Sequence, residues 1–225
     1  LDFYRKDISP NLPWADDHFL ERVCGEPINP GKEWANWPYA KSAAKFVNEH
    51  HQFNHNYMER YWPKFAGMTD QGELKGTEYE NSSWARSQVH SGIRHTYGDL
   101  NDLVDLLVKE PLTRQAWLPI FFPEDTGIGD GGRKPCTLGY QFIVRNDKLH
   151  IYYPLRSCDL IRHFKDDIYL TVRLGLWVID ECRKKSEVWK EIVPGSYHMH
   201  CTSLHMFKGD KALIKPFEVN YHAIY

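Results

Sequence analysis

Apolar and polar residues alternate in two neighbouring runs near the middle of the chain, at positions 138–144 and 149–155. Between the two runs lies a short polar segment, Arg145-Asn146-Asp147-Lys148. Alternation with a period of two residues on both sides of a short polar turn is typical of a β-hairpin. The pattern therefore predicts two antiparallel strands that fold back on each other.

Other stretches have a helical period. In residues 99–108 the leucines and valines recur on one face, and Asp99 stands where a helix N-cap is expected. Residues 167–182 are apolar almost all round, which predicts the buried central helix. Residues 41–65 keep a rough helical spacing, and residues 18–25 predict a short helix that ends at Gly25. Residues 117–122 predict a buried strand.

Length and composition limit the function classes. The chain has 225 residues, which is enough for one sizeable core, and we expect one domain spanning 1–225. A net charge of −2 gives no general attraction to nucleic acid or to an anionic membrane. No apolar run reaches the roughly 20 residues of a membrane span, and nothing at the start reads as a signal peptide. The five cysteines include no C-x-x-C pair, which indicates a reducing cytoplasm and no zinc site.

The candidate chemistry lies at the outer ends of the predicted hairpin. Cys136 precedes the first strand, and Arg156, Ser157 and Asp159 follow the second. Because a hairpin brings its outer ends together, we expect the cysteine to lie beside the Arg-Ser-x-Asp group. A thiol near a fixed cation and a hydroxyl donor is a candidate nucleophile beside an anion site. Taken alone, a single cysteine is more often structural.

These residues carry a family resemblance. Pro-Cys-x-x-x-x-Gln-Phe, which begins at Pro135, and Arg-Ser-x-Asp, which begins at Arg156, resemble in sequence and spacing the thymidylate synthase superfamily, and within it the phage deoxycytidylate hydroxymethylases. The resemblance covers residues 59–207. It implies an α+β, thymidylate synthase-like fold with a central mixed sheet, a buried helix and a dimer formed through the sheet. It also implies a co-substrate, 5,10-methylenetetrahydrofolate, and no metal.

The resemblance assigns roles around the nucleophile. Cys136 would add to C6 of a pyrimidine, so that C5 becomes able to attack a one-carbon electrophile. Arg156 and Ser157 would bind the 5′-phosphate of the nucleotide. Asp159 would hold backbone or water near the base. Cys158 occupies a small-residue position and is expected to pack.

Five further residues gain roles from the resemblance alone. Glu59 would organise water and shuttle protons at the pyrimidine. Arg114 would reach across a homodimer to the phosphate of the partner's substrate, and Arg22 is a candidate phosphate ligand from an early loop. His198 and His200 stand at the family's sugar-binding His-x-Tyr, with His200 in place of the tyrosine.

Asp167 is expected to read the base. Thymidylate synthases have asparagine at this spacing, which pairs with O4 and N3–H of uracil. A carboxylate accepts from the N4 amino group of cytosine, so aspartate favours dCMP, although Asp166 is adjacent and a slip of one residue is possible. The resemblance thus implies dCMP 5-hydroxymethylation. Two alternatives keep the enzyme: a methylated product, or dUMP or CMP as the substrate. Two others do not: a non-catalytic nucleotide-binding module, and a nucleic-acid binder, for which the chain lacks a basic stripe.

Overall fold

The structure is a computed structural model that describes residues 8–48, 51–66, 97–127 and 133–213. The helices with α-geometry in these ranges are α1 (Trp14–Arg22), α2 (Ala40–Ala44), α3 (Tyr57–Tyr61), α4 (Pro63–Ala66), α5 (Leu100–Lys109) and α6 (Phe164–Lys185). The strands are β1 (Trp117–Pro119), β2 (Gly139–Arg145), β3 (Lys148–Leu155), β4 (Cys158–Asp159), β5 (Val193–Cys201) and β6 (Leu204–His205). The chain is therefore of the predicted α+β class.

The central sheet is mixed, with strand order β1-β2-β3-β5. β1, β2 and β3 are antiparallel, whereas β5 runs parallel to β3. A second, two-stranded parallel sheet pairs β4 with β6. These pairings confirm the prediction of a central mixed sheet.

The predicted hairpin is confirmed as β2 and β3. Arg145 pairs with Lys148, so only Asn146 and Asp147 form the turn. Both have positive φ values, 51° and 55°. Two-residue hairpin turns of this kind require the left-handed region, which Asn and Asp tolerate better than most residues. The turn chemistry therefore fixes the strand register that brings Cys136 and Arg156 together.

The core lies between one face of the central sheet and the helices α5 and α6. Leu100, Leu103, Val104 and Leu107 form the buried face of α5, whose N-terminus carries a capping box made by Asp99 and Asp102. α6 buries one face with residues such as Leu170, Leu174 and Val178. The prediction of a helix buried almost all round is therefore correct for one face only, and α6 begins at Phe164 rather than at Asp167.

Three further predicted elements are wrong in extent. Residues 41–65 do not form one helix, because asparagine side chains take over the local hydrogen bonds: Asn48 accepts from Gln52 N, and Asn56 caps α3 by accepting from Glu59 N. Residues 117–122 pair as a strand only over Trp117–Pro119, and Trp117 is 42% exposed. Pro119 has no N–H to continue the ladder. α1 likewise begins at Trp14, ahead of the predicted start at His18.

Two absences apply to the described ranges. No helix there is long and apolar enough to cross a membrane. No group of three or more His, Cys, Asp or Glu side chains in the same residues is arranged to hold a metal ion.

Candidate active site

A cavity of about 240 Å³ opens where the outer ends of the hairpin meet the start of α6 and the N-terminal segment. Cys136, Ser157 and Asp159 line it from the hairpin side, and His163 and Asp167 line it from α6. The opposite wall is mainly aromatic and includes Trp14, Trp34, Trp37, Phe46 and Phe53. The cavity thus combines a thiol and a carboxylate with a large flat apolar surface.

Cys136 lies next to the Arg-Ser-x-Asp group, as the hairpin predicts. Its Sγ is 3.4 Å from Oγ of Ser157, and its carbonyl accepts from the backbone N–H of Arg156 at 2.9 Å. The thiol is partly exposed at the cavity wall. The hydroxyl of Ser157 can donate to a thiolate, so the pair is arranged to support an accessible nucleophile.

Arg156 does not face the cavity. Its Nε donates to the carbonyl of Pro135 and its Nη2 to the carbonyl of Lys134, both at 2.8 Å. The guanidinium therefore holds the backbone that carries Cys136. Nε and Nη2 of Arg156 are already bonded to backbone carbonyls, so this arrangement does not direct them at a substrate phosphate.

Asp167, not Asp166, faces the cavity. The carboxylate of Asp166 accepts from the backbone N and the side-chain Nδ2 of Asn11 at 2.8 and 2.6 Å, and so anchors the N-terminal segment. Asp167 accepts at Oδ2 from the thiol of Cys158 at 3.5 Å. Desolvation raises the pKa of Asp167 to about 7, against the opposing effects of Arg22 and the Cys158 thiol. Near neutral pH the group can therefore be an acid or an anion.

Arg22 is a buried cation at the cavity wall, with 6% of its surface exposed. Its guanidinium lies over the ring of Tyr57, 4.1 Å from the ring centroid, and its Nε donates to Nε2 of His18 at 3.0 Å. Within the described part of the chain no carboxylate forms a salt bridge with it. A buried guanidinium without a salt-bridged carboxylate is costly, so an anion bound beside it would be stabilised.

Asp159 holds the backbone of the turn that follows it. Its Oδ1 accepts from the N–H groups of Ile161 and Arg162 at 2.9 and 2.7 Å. Its Oδ2 is buried and, among the residues the structure describes, has no hydrogen-bond partner. Asp159 lines the cavity, so this oxygen is an unused acceptor close to the cavity wall.

Glu59 is fully buried beside the cavity. Its Oε2 accepts from Nδ2 of Asn29 at 3.2 Å, and the same amide donates to the carbonyl of Phe53. The neighbouring residues Asn56, Tyr57 and Met58 line the cavity, and Glu59 lies behind them. Any proton role of Glu59 therefore has to run through a water molecule or a small shift of these side chains.

The structure does not bring Arg114, His198 and His200 to this cavity. Arg114 is exposed, and its carbonyl accepts from Gln141. On β5 the core is contacted by Tyr197, Met199 and Cys201, so alternation directs His198 and His200 to the other face of the sheet. His198 stacks on Tyr152 there, with ring centroids 4.7 Å apart. His198 and His200 therefore do not line this cavity, and their contact with a sugar stays a prediction.

Sequence reasoning missed most of the aromatic wall and two of the histidines that line the cavity, His18 and His163. His163 stacks on Trp37 at 4.7 Å between ring centroids. Only one signal was available: Trp14, His18 and Arg22 recur every four residues and so share one face of α1. The other aromatic residues come from irregular segments that have no period to read.

Comparisons with known proteins agree with this fold. No protein-family model matches the chain. A deoxyuridylate hydroxymethyltransferase from Bacillus phage SP01 is 29% identical over 128 residues, which are 56% of this chain but 32% of that protein. The crystal structure of thymidylate synthase from T4 phage aligns with a TM-score of 0.54 and 15% identity, over 92% of this chain and 65% of that one. The match therefore spans about a third of the curated relative, and the chain has the thymidylate synthase fold.

Proposed function

We propose that the chain is a one-carbon transferase that acts on C5 of a pyrimidine deoxynucleoside monophosphate. The observation that carries the proposal is that Cys136 and Asp167 line the same cavity, a nucleophile and a group able to pair with a base. The buried cation of Arg22 on the same wall suits the charge of a nucleotide. The fold and the phage relative, whose name includes a hydroxymethyltransferase activity, support the same reaction class.

The thiolate of Cys136 is the proposed nucleophile. It adds to C6 of the pyrimidine, which breaks the C5=C6 π bond and makes C5 electron-rich. C5 then forms a bond to the one-carbon unit, which is still attached to a folate nitrogen. Loss of the proton on C5 and cleavage of that carbon–nitrogen bond leave an exocyclic methylene group and release tetrahydrofolate. Addition of water to that methylene expels the thiolate from C6 and restores the C5=C6 bond, giving a hydroxymethyl group. Glu59, acting through water, is the proposed proton carrier.

The co-substrate proposed to supply the one-carbon unit is 5,10-methylenetetrahydrofolate. The cavity suits its flat, N–H-bearing ring system, because the aromatic wall offers stacking surfaces and Oδ2 of Asp159 is a buried acceptor without a partner among the described residues. Trp34 and Phe53, 5.3 Å apart and nearly perpendicular, form one corner of that wall. The residues present therefore fit the group.

The phosphate of the nucleotide is proposed to bind at Arg22 and Ser157. Both line the cavity, whereas Arg156 is engaged with backbone carbonyls. Arg133 and Lys134 add two cations to the lining of the cavity. The role of Arg156 is thus moved from direct binding to holding the segment that carries Cys136.

The proposed base is cytosine, with uracil as the second candidate. An ionised Asp167 accepts from the N4 amino group of cytosine and is repelled by O4 of uracil. A protonated Asp167 pairs fully with either base, since its O–H can donate to N3 of cytosine or to O4 of uracil while its C=O accepts from the adjacent N–H. A pKa near 7 makes both states accessible, and the phage relative is named for deoxyuridylate.

A homodimer formed through the exposed face of the central sheet is part of the proposal. That face carries apolar and aromatic groups, with Tyr152 39% and Trp117 42% exposed. Arg114 lies next to it, beside Gln141, and is exposed. Such a dimer would let Arg114 act on the partner's substrate. Sedimentation at several concentrations tests it, and a monomer at all of them would contradict it.

Product identification tests the proposed reaction. The purified chain is incubated with methylenetetrahydrofolate and, separately, dCMP, dUMP or CMP, and the products are identified by mass spectrometry. We expect 5-hydroxymethyl-dCMP. A methylated product would overturn the water-capture step, and hydroxymethylation of dUMP alone would make uracil the base.

A covalent trap separates an enzyme from a binding module. Incubation with 5-fluoro-dCMP and the co-substrate should add the mass of the ternary adduct to the wild-type chain. Cys136→Ala should give none, and Cys24→Ala, a change of an exposed thiol that does not line the cavity, should keep it. Tight nucleotide binding with no adduct in the wild type would favour the non-catalytic module.

A further inference from the structure

We propose that His18 is a positioning residue, which holds the guanidinium of Arg22 in place for the phosphate of the substrate. The inference rests on the proposed function, because it names the device that prepares the anion end of that site. Arg22 and His18 lie on the same face of α1, one turn apart, and both line the cavity. Nothing in the proposed chemistry uses the imidazole itself.

The contacts of His18 fix its tautomer. Nε of Arg22 carries a hydrogen and donates at 3.0 Å, so Nε2 of His18 must be the acceptor. The hydrogen of the neutral ring therefore lies on Nδ1, which points at Oε2 of Glu21 at 3.4 Å. The ring also stacks on Trp14, with centroids 5.0 Å apart and planes within 14°. Three contacts thus hold the ring in one orientation.

Glu21 connects this ring to the following turn. Its Oε1 accepts from the backbone N–H of Lys32 and, at 3.4 Å, from that of Glu33. Gly31, at φ +80°, allows the close approach, because a Cβ there would lie 2.5 Å from the carboxylate. A chain of hydrogen bonds therefore runs from the turn through Glu21 and His18 to Arg22.

Arg22 needs such a device. Its planar fork binds phosphate well only when both parallel N–H groups point at the anion. The bond from Nε to His18 fixes one edge of the fork and leaves the donors of the two Nη groups for other partners, while the ring of Tyr57 supports one face of the plane. Loss of the bond would remove one of the contacts that hold the guanidinium in this orientation.

Two variants separate positioning from simple packing. His18→Phe keeps a flat ring on Trp14 but removes both nitrogens. Glu21→Gln is nearly isosteric but replaces one acceptor oxygen with an NH₂ donor. In either orientation of the amide, that donor faces another donor, either Nδ1–H of His18 or the N–H groups of Lys32 and Glu33, so one link of the chain is broken. His18→Gln is the conservative control, since its amide can both donate and accept.

Calorimetric binding of dCMP, deoxycytidine and inorganic phosphate to the full chain provides the test. We expect His18→Phe to weaken dCMP and phosphate roughly tenfold, which is the scale of one lost charge-assisted hydrogen bond, and to leave deoxycytidine unchanged. Glu21→Gln should weaken the same two ligands, and His18→Gln should restore most of the affinity. In an Arg22→Met background, His18→Phe should have no further effect.

Each outcome decides the proposal. Equal losses for dCMP and deoxycytidine, or a full effect of His18→Phe in the Arg22→Met background, would make His18 a packing residue and overturn it. If the wild type binds phosphate in a way that depends on His18 but does not bind dCMP, the positioning role is sustained and the proposed function fails. If the wild type binds neither ligand, both fail. If His18→Phe does not fold, the same comparisons with Glu21→Gln decide.

Discussion

The thiol of Cys158 donates a hydrogen bond to Oδ2 of Asp167, with 3.5 Å between sulfur and oxygen. The small-residue position of Cys158 in Arg-Ser-Cys-Asp predicts packing alone. Its thiol is instead the donor that partly offsets the desolvation of the carboxyl group proposed to read the base. Desolvation is the largest cause that raises the pKa of the Cys158 thiol, and the charge of Asp167 and this hydrogen bond raise it further. The cysteine is therefore held as a neutral donor.

Replacement of Cys158 by alanine should raise the pKa of Asp167. The thiol hydrogen bond favours the ionised carboxylate, so its removal moves the pKa above the present value of about 7. Carbon-13 NMR of the Asp167 carboxyl group measures the change. Cys158→Ser is the control, because its hydroxyl is a stronger donor and should move the pKa down. An unchanged titration in both variants would show that the thiol has no electrostatic effect on the base-reading group.

Asp167→Asn should shift base preference toward uracil. An amide cannot ionise, and it can donate to O4 of uracil while accepting from N3–H. We expect the ratio of kcat/KM for dUMP over dCMP to rise by at least tenfold, within the range of about 1–3 kcal/mol for one exchanged polar contact. Asp166→Asn is the matched control, since Asp166 bonds to Asn11 outside the cavity. Unchanged cytosine preference in Asp167→Asn would remove the basis for the assignment.

The sequence specified the elements with strong local signals. The hairpin, the capped helix α5 and the core of α6 follow from alternation, an Asp99 cap and a long apolar run. The hairpin pattern is also enough to predict that Cys136 lies beside Ser157, because both stand at its outer ends. The roles of Glu59, Arg114 and Arg22 came from resemblance alone.

The rest depended on tertiary contacts that have no local signal. Arg156 turns to the carbonyls of Lys134 and Pro135, a choice made by loop geometry and not by residue type. His198 and His200 point away from the cavity because a register shift between β3 and β5 sets which face each side chain takes. The aromatic wall comes from irregular segments, so only the folded chain shows that it meets the thiol.

Gly139→Ala should destabilise the fold through the edge of the central sheet. A Cβ at this position would lie 2.7 Å from the backbone carbonyl of Leu118 and 2.6 Å from the indole of Trp117. The backbone of β1 would have to move, at a cost of about 1–3 kcal/mol in the free energy of unfolding. Urea unfolding measures the change. Gly209→Ala, where a Cβ would contact nothing within 4 Å, is the control. Equal stability of the two variants would contradict the packing argument.

Acid should destabilise the chain through histidines held neutral. Desolvation and nearby arginines lower the pKa of His18 and of His163 to about 4 and that of His55 to about 3, from 6.5. Below pH 6.5 the unfolded chain therefore binds more protons at these histidines than the folded chain does. Their contribution to the free energy of unfolding is complete above that pH and is lost as the pH drops toward 4 and below.

Asp167 acts in the opposite direction and must be separated from the histidines. Its pKa is raised from 3.8 to about 7, so its burial costs stability above pH 7, and that cost disappears as the pH falls toward 4. Urea unfolding at pH 7.5 and pH 5 in the Asp167→Asn background isolates the histidines. In that background, His163→Phe keeps the stack on Trp37 and removes one titrating group. The double variant should therefore lose less free energy of unfolding between pH 7.5 and pH 5 than Asp167→Asn alone. The same loss with and without His163 would show that this ring does not titrate with folding, and a gain of stability toward pH 5 would contradict the neutral state of all three.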